Sequence, residues 1–236
     1  MEQQMAGKEV DLAKEANPFL FLLTPVTQLE RIRLHPKILL PALLVSIVLL
    51  LGLLFPTFTG AGGVVEPVAL DGTGPVLTVE ERYYLEERPV EQWRMDHPLI
   101  VGALIFGATA FFTAMLPLIY FLIAKVKVVE VSYRQLYSMT MFASIIPALG
   151  FLYNMILNAI RDTYGYTYTS ASVFVEIAHG LYPLLASLDV FVIYFIVVMV
   201  LGGIKVAGFG PRFAGGLGAV LFVCVFLFHQ LGGMLS

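Results

Sequence analysis

The residues of this chain with the most chemistry to offer are polar groups set inside apolar runs. Asp189 lies in Leu188-Asp189-Val190-Phe191, Asn154 and Asn158 are one helical turn apart, and His229-Gln230 interrupts the last apolar block. An ionisable group held in hydrocarbon is costly and must face a partner or a cavity. If the apolar blocks are helices crossing a bilayer, all five residues fall at similar depth near one membrane face. Asp189 can then accept hydrogen bonds from Asn154, Asn158 or protonated His229. The expected role of this intramembrane cluster is glue between helices, because such groups must find partners where water is absent. A substrate or proton site is the alternative. Two mid-block prolines, Pro117 and Pro147, each remove a backbone donor and are expected to kink their helices.

Beyond this cluster the sequence carries no phosphate loop, dinucleotide fingerprint, nucleophile elbow or metal-spaced Cys and His pair. No catalytic residue, metal ligand or cofactor is therefore assigned, and an intramembrane enzyme would lack a paired nucleophile and base. The four histidines, His35, His97, His179 and His229, sit on four different segments, and the single cysteine, Cys224, has no partner for an intramolecular disulfide. A net charge of −3 without a basic surface excludes nucleic acid as an expected ligand.

The elements that must position these groups follow from composition. Hydrophobic residues make up 58% of the chain and charged residues 13%, with a mean hydropathy of +0.85, far to the apolar side of a soluble domain. The apolar residues gather in blocks of about 20, the length that crosses about 30 Å of hydrocarbon. The expected fold is all-α, a polytopic bundle of five transmembrane helices at 38–55, 99–124, 136–160, 184–204 and 213–235. Residues 1–17 read as a mobile cytoplasmic tail ahead of a transmembrane domain over 18–236. Thr24-Pro25 supplies an N-cap and a first helical position. Val26, Leu29 and Ile32 then recur on one face of a short amphipathic helix expected to lie in the membrane interface. An acidic outer loop over 56–96 contains Thr78-Val79-Glu80-Glu81, a capping box for a short helix. Residues 126–134 read as a short amphipathic connection. The aromatic run Tyr164-Gly165-Tyr166-Thr167-Tyr168 is suited to headgroup level, and 172–182 reads as a re-entrant or interfacial helix.

Basic residues set the expected orientation. With a cytoplasmic N-terminus, Lys8, Lys14, Arg31, Arg33, Lys37, Lys125, Lys127, Arg134, Lys205 and Arg212 lie inside, against Arg82, Arg88, Arg94 and Arg161 outside. An odd number of crossings then places the C-terminus outside the cytoplasmic membrane. Small-residue pairs at Ala103/Gly107, Ala110/Ala114 and Gly215/Ala219 permit close helix approach or a homo-oligomer.

Three stretches also carry a family resemblance. They are Pro25-Val26-Thr27-Gln28-Leu29-Glu30-Arg31-Ile32-Arg33-Leu34-His35-Pro36, then Ser132-Tyr133-Arg134-Gln135-Leu136 leading to Ile145-Ile146-Pro147, then Leu188-Asp189-Val190-Phe191-Val192-Ile193-Tyr194 followed by Gly202-Gly203-Ile204-Lys205. In order and spacing the chain resembles the Yip-type family, five-span membrane proteins related to the Rab-GTPase-interacting proteins of eukaryotes. The acidic-Leu-x-Gly-Pro signature of the eukaryotic branch has no counterpart here, and the outer loop is longer, so the resemblance is to the prokaryotic branch. It implies a non-enzymatic protein acting through other membrane proteins, and it transfers no catalytic residue. The function expected is that of an accessory or scaffold protein that sits in the lipid bilayer and binds another integral membrane protein, plausibly a transport complex. The alternative is a small transporter or channel built around Asp189, Asn154 and His229.

Overall fold

The computed structural model describes residues 14–59, 98–161, 167–174 and 181–235. Residues 60–96 of the outer loop, with its capping box, the first 13 residues of the tail, Tyr164, Tyr166, His97 and His179 lie outside the described residues, while 56–59, expected to open that loop, are helical.

Proline and basic residues punctuate the helices. Pro18, Pro25, Pro98 and Pro211 each open one, where a missing N–H costs nothing. Lys125, Arg161 and Lys205 stand in the last turns of theirs, facing the negative end of the helix dipole. The resulting order is α1 (Pro18–Phe21), α2 (Pro25–Leu34), α3 (Leu39–Thr59), α4 (Pro98–Val126), α5 (Tyr133–Arg161), a 3₁₀ turn at Ala171–Phe174, α6 (Tyr182–Ser187), α7 (Val190–Lys205) and α8 (Pro211–Leu235). The architecture is all-α. Among the described residues two helices, Gly102–Val126 within α4 and Tyr133–Arg161, are long and apolar enough to cross a membrane, and Leu39–Phe55, Val190–Lys205 and Pro211–Leu227 are shorter apolar helices. Pro117 and Pro147 lie inside α4 and α5.

α5 is the centre of the bundle, with α3, α4, α7 and α2 packed around it. Its Leu136, Met139, Phe142, Ala143 and Ile146 are fully buried. Glycine sets how closely two helices approach it. A Cβ on Gly150 would meet the Phe191 side chain at 2.8 Å, and one on Gly202 would overlap the Met139 thioether. α7 therefore lies against α5 at a distance that no side chain at Gly202 would allow. α4, by contrast, leaves Leu104, Phe111, Phe112 and Leu122 exposed along its outer flank.

Two expectations change. The fourth apolar block, expected as one helix over 184–204, is broken between α6 and α7. Its polar pair Ser187 and Asp189 offers the backbone local partners that compete with continuous helix. The stripe of α2 does not lie free toward the membrane, since Leu29 and Ile32 are fully buried and α2 packs on α7 and α5. Hydrogen bonds from Gln135 Nε2 to Arg33 O (2.6 Å) and from Ser138 Oγ to Lys37 O (2.6 Å) fasten that end, with an ion pair from Lys205 to Glu30 (2.8 Å). Of the helix expected over 172–182, residues 175–180 lie outside the described residues; the 3₁₀ turn covers its first three residues and α6 starts at its last.

Candidate functional site

The site grows from the break in the fourth apolar block. Asp189 has extended backbone angles, and its Oδ1 accepts from the N–H groups of Phe191 (2.8 Å) and Val192 (3.0 Å), so it is the N-cap of α7. Its own backbone pairs with the segment before the 3₁₀ turn. Val190 N–H donates to Thr169 O (3.1 Å) and Ala171 N–H to Leu188 O (3.3 Å), an isolated antiparallel bridge between Ser170 and Asp189. This folded-back segment presents Thr169, whose hydroxyl donates to Asp189 Oδ2.

α5 supplies the other wall. Gly150, Asn154, Asn158 and Arg161 follow at helical spacing on one face, and Asn154 and Asn158 are both buried. Asn154 Nδ2 donates to Gly150 O (3.0 Å) and to Thr169 Oγ1 (2.9 Å). These two bonds fix the orientation of the amide. Gly150 O can only accept, and the single Thr169 proton is spent on Asp189. Among the described residues Asn154 Oδ1 is a buried acceptor without a partner, a cost of about 1–3 kcal/mol. At the outer rim the Arg161 guanidinium lies 4.9 Å from the centre of the Tyr168 ring. Ser170, Ser172 and Ser187 are also buried here, the first two bonded to each other through their hydroxyls.

The structure thus brings Asn154 and Asp189 together, through a residue the sequence reading passed over. Thr169 is the bridge, with Ser170, Ser172 and Ser187 around it. The available signal was the run Thr169-Ser170-Ala171-Ser172 just after the tyrosine patch, a density of small hydroxyls suited to local caps. Asn158 shares the buried face of α5. His229 and Gln230 are on α8, and the side chain of His229 lies outside the described residues. Asp189 itself is not within a helix, as the sequence reading placed it, but caps one. Chemically the arrangement is a clamp, in which a carboxylate, a hydroxyl and a carboxamide tie α5, the folded-back segment and α7 into one unit. Among the described residues no group of three or more His, Cys, Asp or Glu side chains is placed to hold a metal ion.

Outside this clamp, two apolar grooves open on the flanks of the bundle. One, about 430 Å³, runs between α7 and α8 and includes Ile196, Val200, Gly215 and Ala219 in its walls. The other, about 410 Å³, lies along α3 and includes Leu39, Ala42, Ile47 and Phe106 of α4.

Comparison with known proteins places these features in a family. The profile of the Yip1 domain matches residues 19–231, nearly the whole chain. The chain is also 28% identical over 240 residues to the membrane protein YknW of Bacillus subtilis (strain 168), a match spanning 100% of this chain and 98% of that protein. No solved structure matches. With the apolar helices already described, these matches identify the chain as a member of the Yip1 domain family, a multi-pass integral membrane protein.

Proposed function

We propose that this protein is a non-enzymatic accessory or scaffold protein of the cytoplasmic membrane that binds another integral membrane protein, with a transport complex as the favoured class of partner. It crosses the bilayer five times, with its N-terminus cytoplasmic and its C-terminus outside. The observation that carries this reading is the pair of outward-opening apolar grooves. One is floored in part by Gly215, over which a side chain would meet open space. Small residues at a groove admit a neighbouring helix at close range. The polar groups within the bundle, meanwhile, are occupied largely with one another, as a rigid docking body requires and a conduit does not.

Photo-crosslinking residues placed at Ile196 and Ala219 test the proposal against control positions Phe111 and Leu122 on the outer flank of α4. Discrete adducts with one membrane protein from the groove positions, absent from the controls, support a scaffold. A purified protein that moves solute alone in liposomes, with the flux abolished by Asp189→Asn, establishes the second reading, a small transporter. That second reading is favoured by one observation, Asn154 Oδ1, which has no partner among the described residues and lies beside a buried carboxylate.

A further inference from the structure

The N-terminal helices sit deeper than their sequence suggests. Glu15 pairs with Lys37, and Lys37 O accepts from Ser138 near the start of α5, so both arms of the α1–α2 hairpin begin at the Lys205 end of the bundle. From there the hairpin climbs. Leu29 reaches the level of Gly202. Phe21 packs on Phe142 with ring centroids 5.4 Å apart, and Phe142 lies about 14 Å along α5 from Tyr133 at the standard helix rise. At the tip, Tyr194 donates to Leu22 O at 2.6 Å, and Tyr194 lies about 17 Å along α7 from Lys205. A half-thickness of hydrocarbon is about 15 Å. The tip therefore stands near the middle of the layer that α5 and α7 would cross.

The composition and bonding of the hairpin suit that depth. From Ala16 to Leu29 the chain has no charged residue. Irregular backbone at bilayer depth is tolerated only where it is buried in protein or lines a water-filled cavity, and much of the polar backbone of the hairpin has a partner within the protein. Here Asn17 Oδ1 accepts from the N–H groups of Phe19 and Leu20, Gln28 Oε1 accepts from Asn17 N–H, and Leu20 O accepts from the N–H groups of Leu23 and Thr24 and from the Thr24 hydroxyl. Pro18 and Pro25 have no N–H to satisfy. One side of the hairpin, Phe21 and Leu29, is fully buried in protein, while Phe19 is 69% and Leu23 79% exposed. In water those two side chains, with Leu20 and Val26, would form an unprotected apolar patch.

We propose that α1 and α2 form a re-entrant hairpin inserted into the leaflet at the Lys205 end, with lipid acyl chains covering Phe19, Leu20, Leu23 and Val26. This rests on the reading that α5 and α7 span the bilayer. The test uses the full chain with Cys224→Ser, reconstituted in vesicles of phosphatidylethanolamine and phosphatidylglycerol, with one nitroxide label at a time on Leu23→Cys, Phe19→Cys, Val197→Cys and His35→Cys. Collision with oxygen reports hydrocarbon, and collision with a nickel chelate reports water. Leu23 and Phe19 are expected to match Val197, which is exposed near the middle of α7, with an oxygen-to-nickel ratio several-fold above that of His35. A ratio at Leu23 like that of His35 overturns the hairpin while leaving the spanning helices intact. Low access to both reagents at Leu23 means protein rather than lipid covers it, and also overturns the proposal. Nickel access at Val197 itself refutes the spanning reading, and the hairpin falls with it.

Discussion

Replacing Asp189 by alanine removes an acceptor from three donors at once, the N–H groups of Phe191 and Val192 and the hydroxyl of Thr169. Loss of an N-cap costs about 1 kcal/mol. Leaving the half-buried Thr169 hydroxyl without its acceptor adds about 1–3 kcal/mol, while its oxygen still accepts from Asn154 Nδ2. The sum is about 3 kcal/mol, on the order of a hundredfold in the ratio of folded to unfolded protein. Asp189→Asn is the informative partner. It keeps a side-chain oxygen for the two N–H groups, but it sets an amide NH2 where Oδ2 accepted from Thr169 and gives up the charge at the helix N-terminus, so its expected cost is about 1–2 kcal/mol. Unfolding of purified protein in mild detergent, followed by loss of the monodisperse peak on size exclusion after heating, ranks the variants. The expected order of stability is wild type, then Asp189→Asn, then Asp189→Ala lowest. A stability of Asp189→Ala equal to wild type would refute the cap, and equal damage from both substitutions would show that the charge or the Thr169 bond, and not the two N–H bonds of the cap, holds the clamp.

Other outcomes follow from the same contacts. Gly202→Val forces a side chain into Met139 and should destabilise by about 1–3 kcal/mol. Combined with Met139→Ala it should cost less than the sum of the two single changes, read by the same melting assay. Tyr194→Phe leaves Leu22 O without its donor and should cost about 1 kcal/mol, with faster proteolysis between Asn17 and Thr24 as a second readout. The Glu30–Lys205 pair is part-exposed, so a double-mutant cycle should give at most about 1 kcal/mol of coupling, shrinking as salt is raised.

Most of the helical architecture was legible because membrane helices declare themselves by length and apolarity. Residues 99–124 and 136–160 reappear inside α4 and α5, extended by one to three residues at each end, where Pro98, Tyr133 and Arg161 provide termini. The break at Asp189 was not legible. Hydropathy averages over a window, and Tyr182–Lys205 is apolar enough to read as one block, whereas the deciding interaction is a carboxylate bonding the N–H groups two and three residues ahead. The polar cluster was half visible. Asn154 and Asn158 share a face by spacing alone, but Thr169 reaches Asp189 through a chain reversal that no periodicity encodes. The amphipathic period of α2 was read correctly and its destination wrongly, since a stripe such as Leu29 and Ile32 has the same pattern whether it meets lipid or a groove between α5 and α7.

The crossing number is the claim on which the functional reading stands. Its most direct measurement is the labelling of single tags at each end of the chain in intact cells, before and after permeabilisation, with an impermeant reagent. Five crossings predict that a tag beyond Ser236 is labelled in intact cells, while a tag before Met1 is labelled only after permeabilisation. Equal protection of both ends would mean an even number of crossings and would contradict the account.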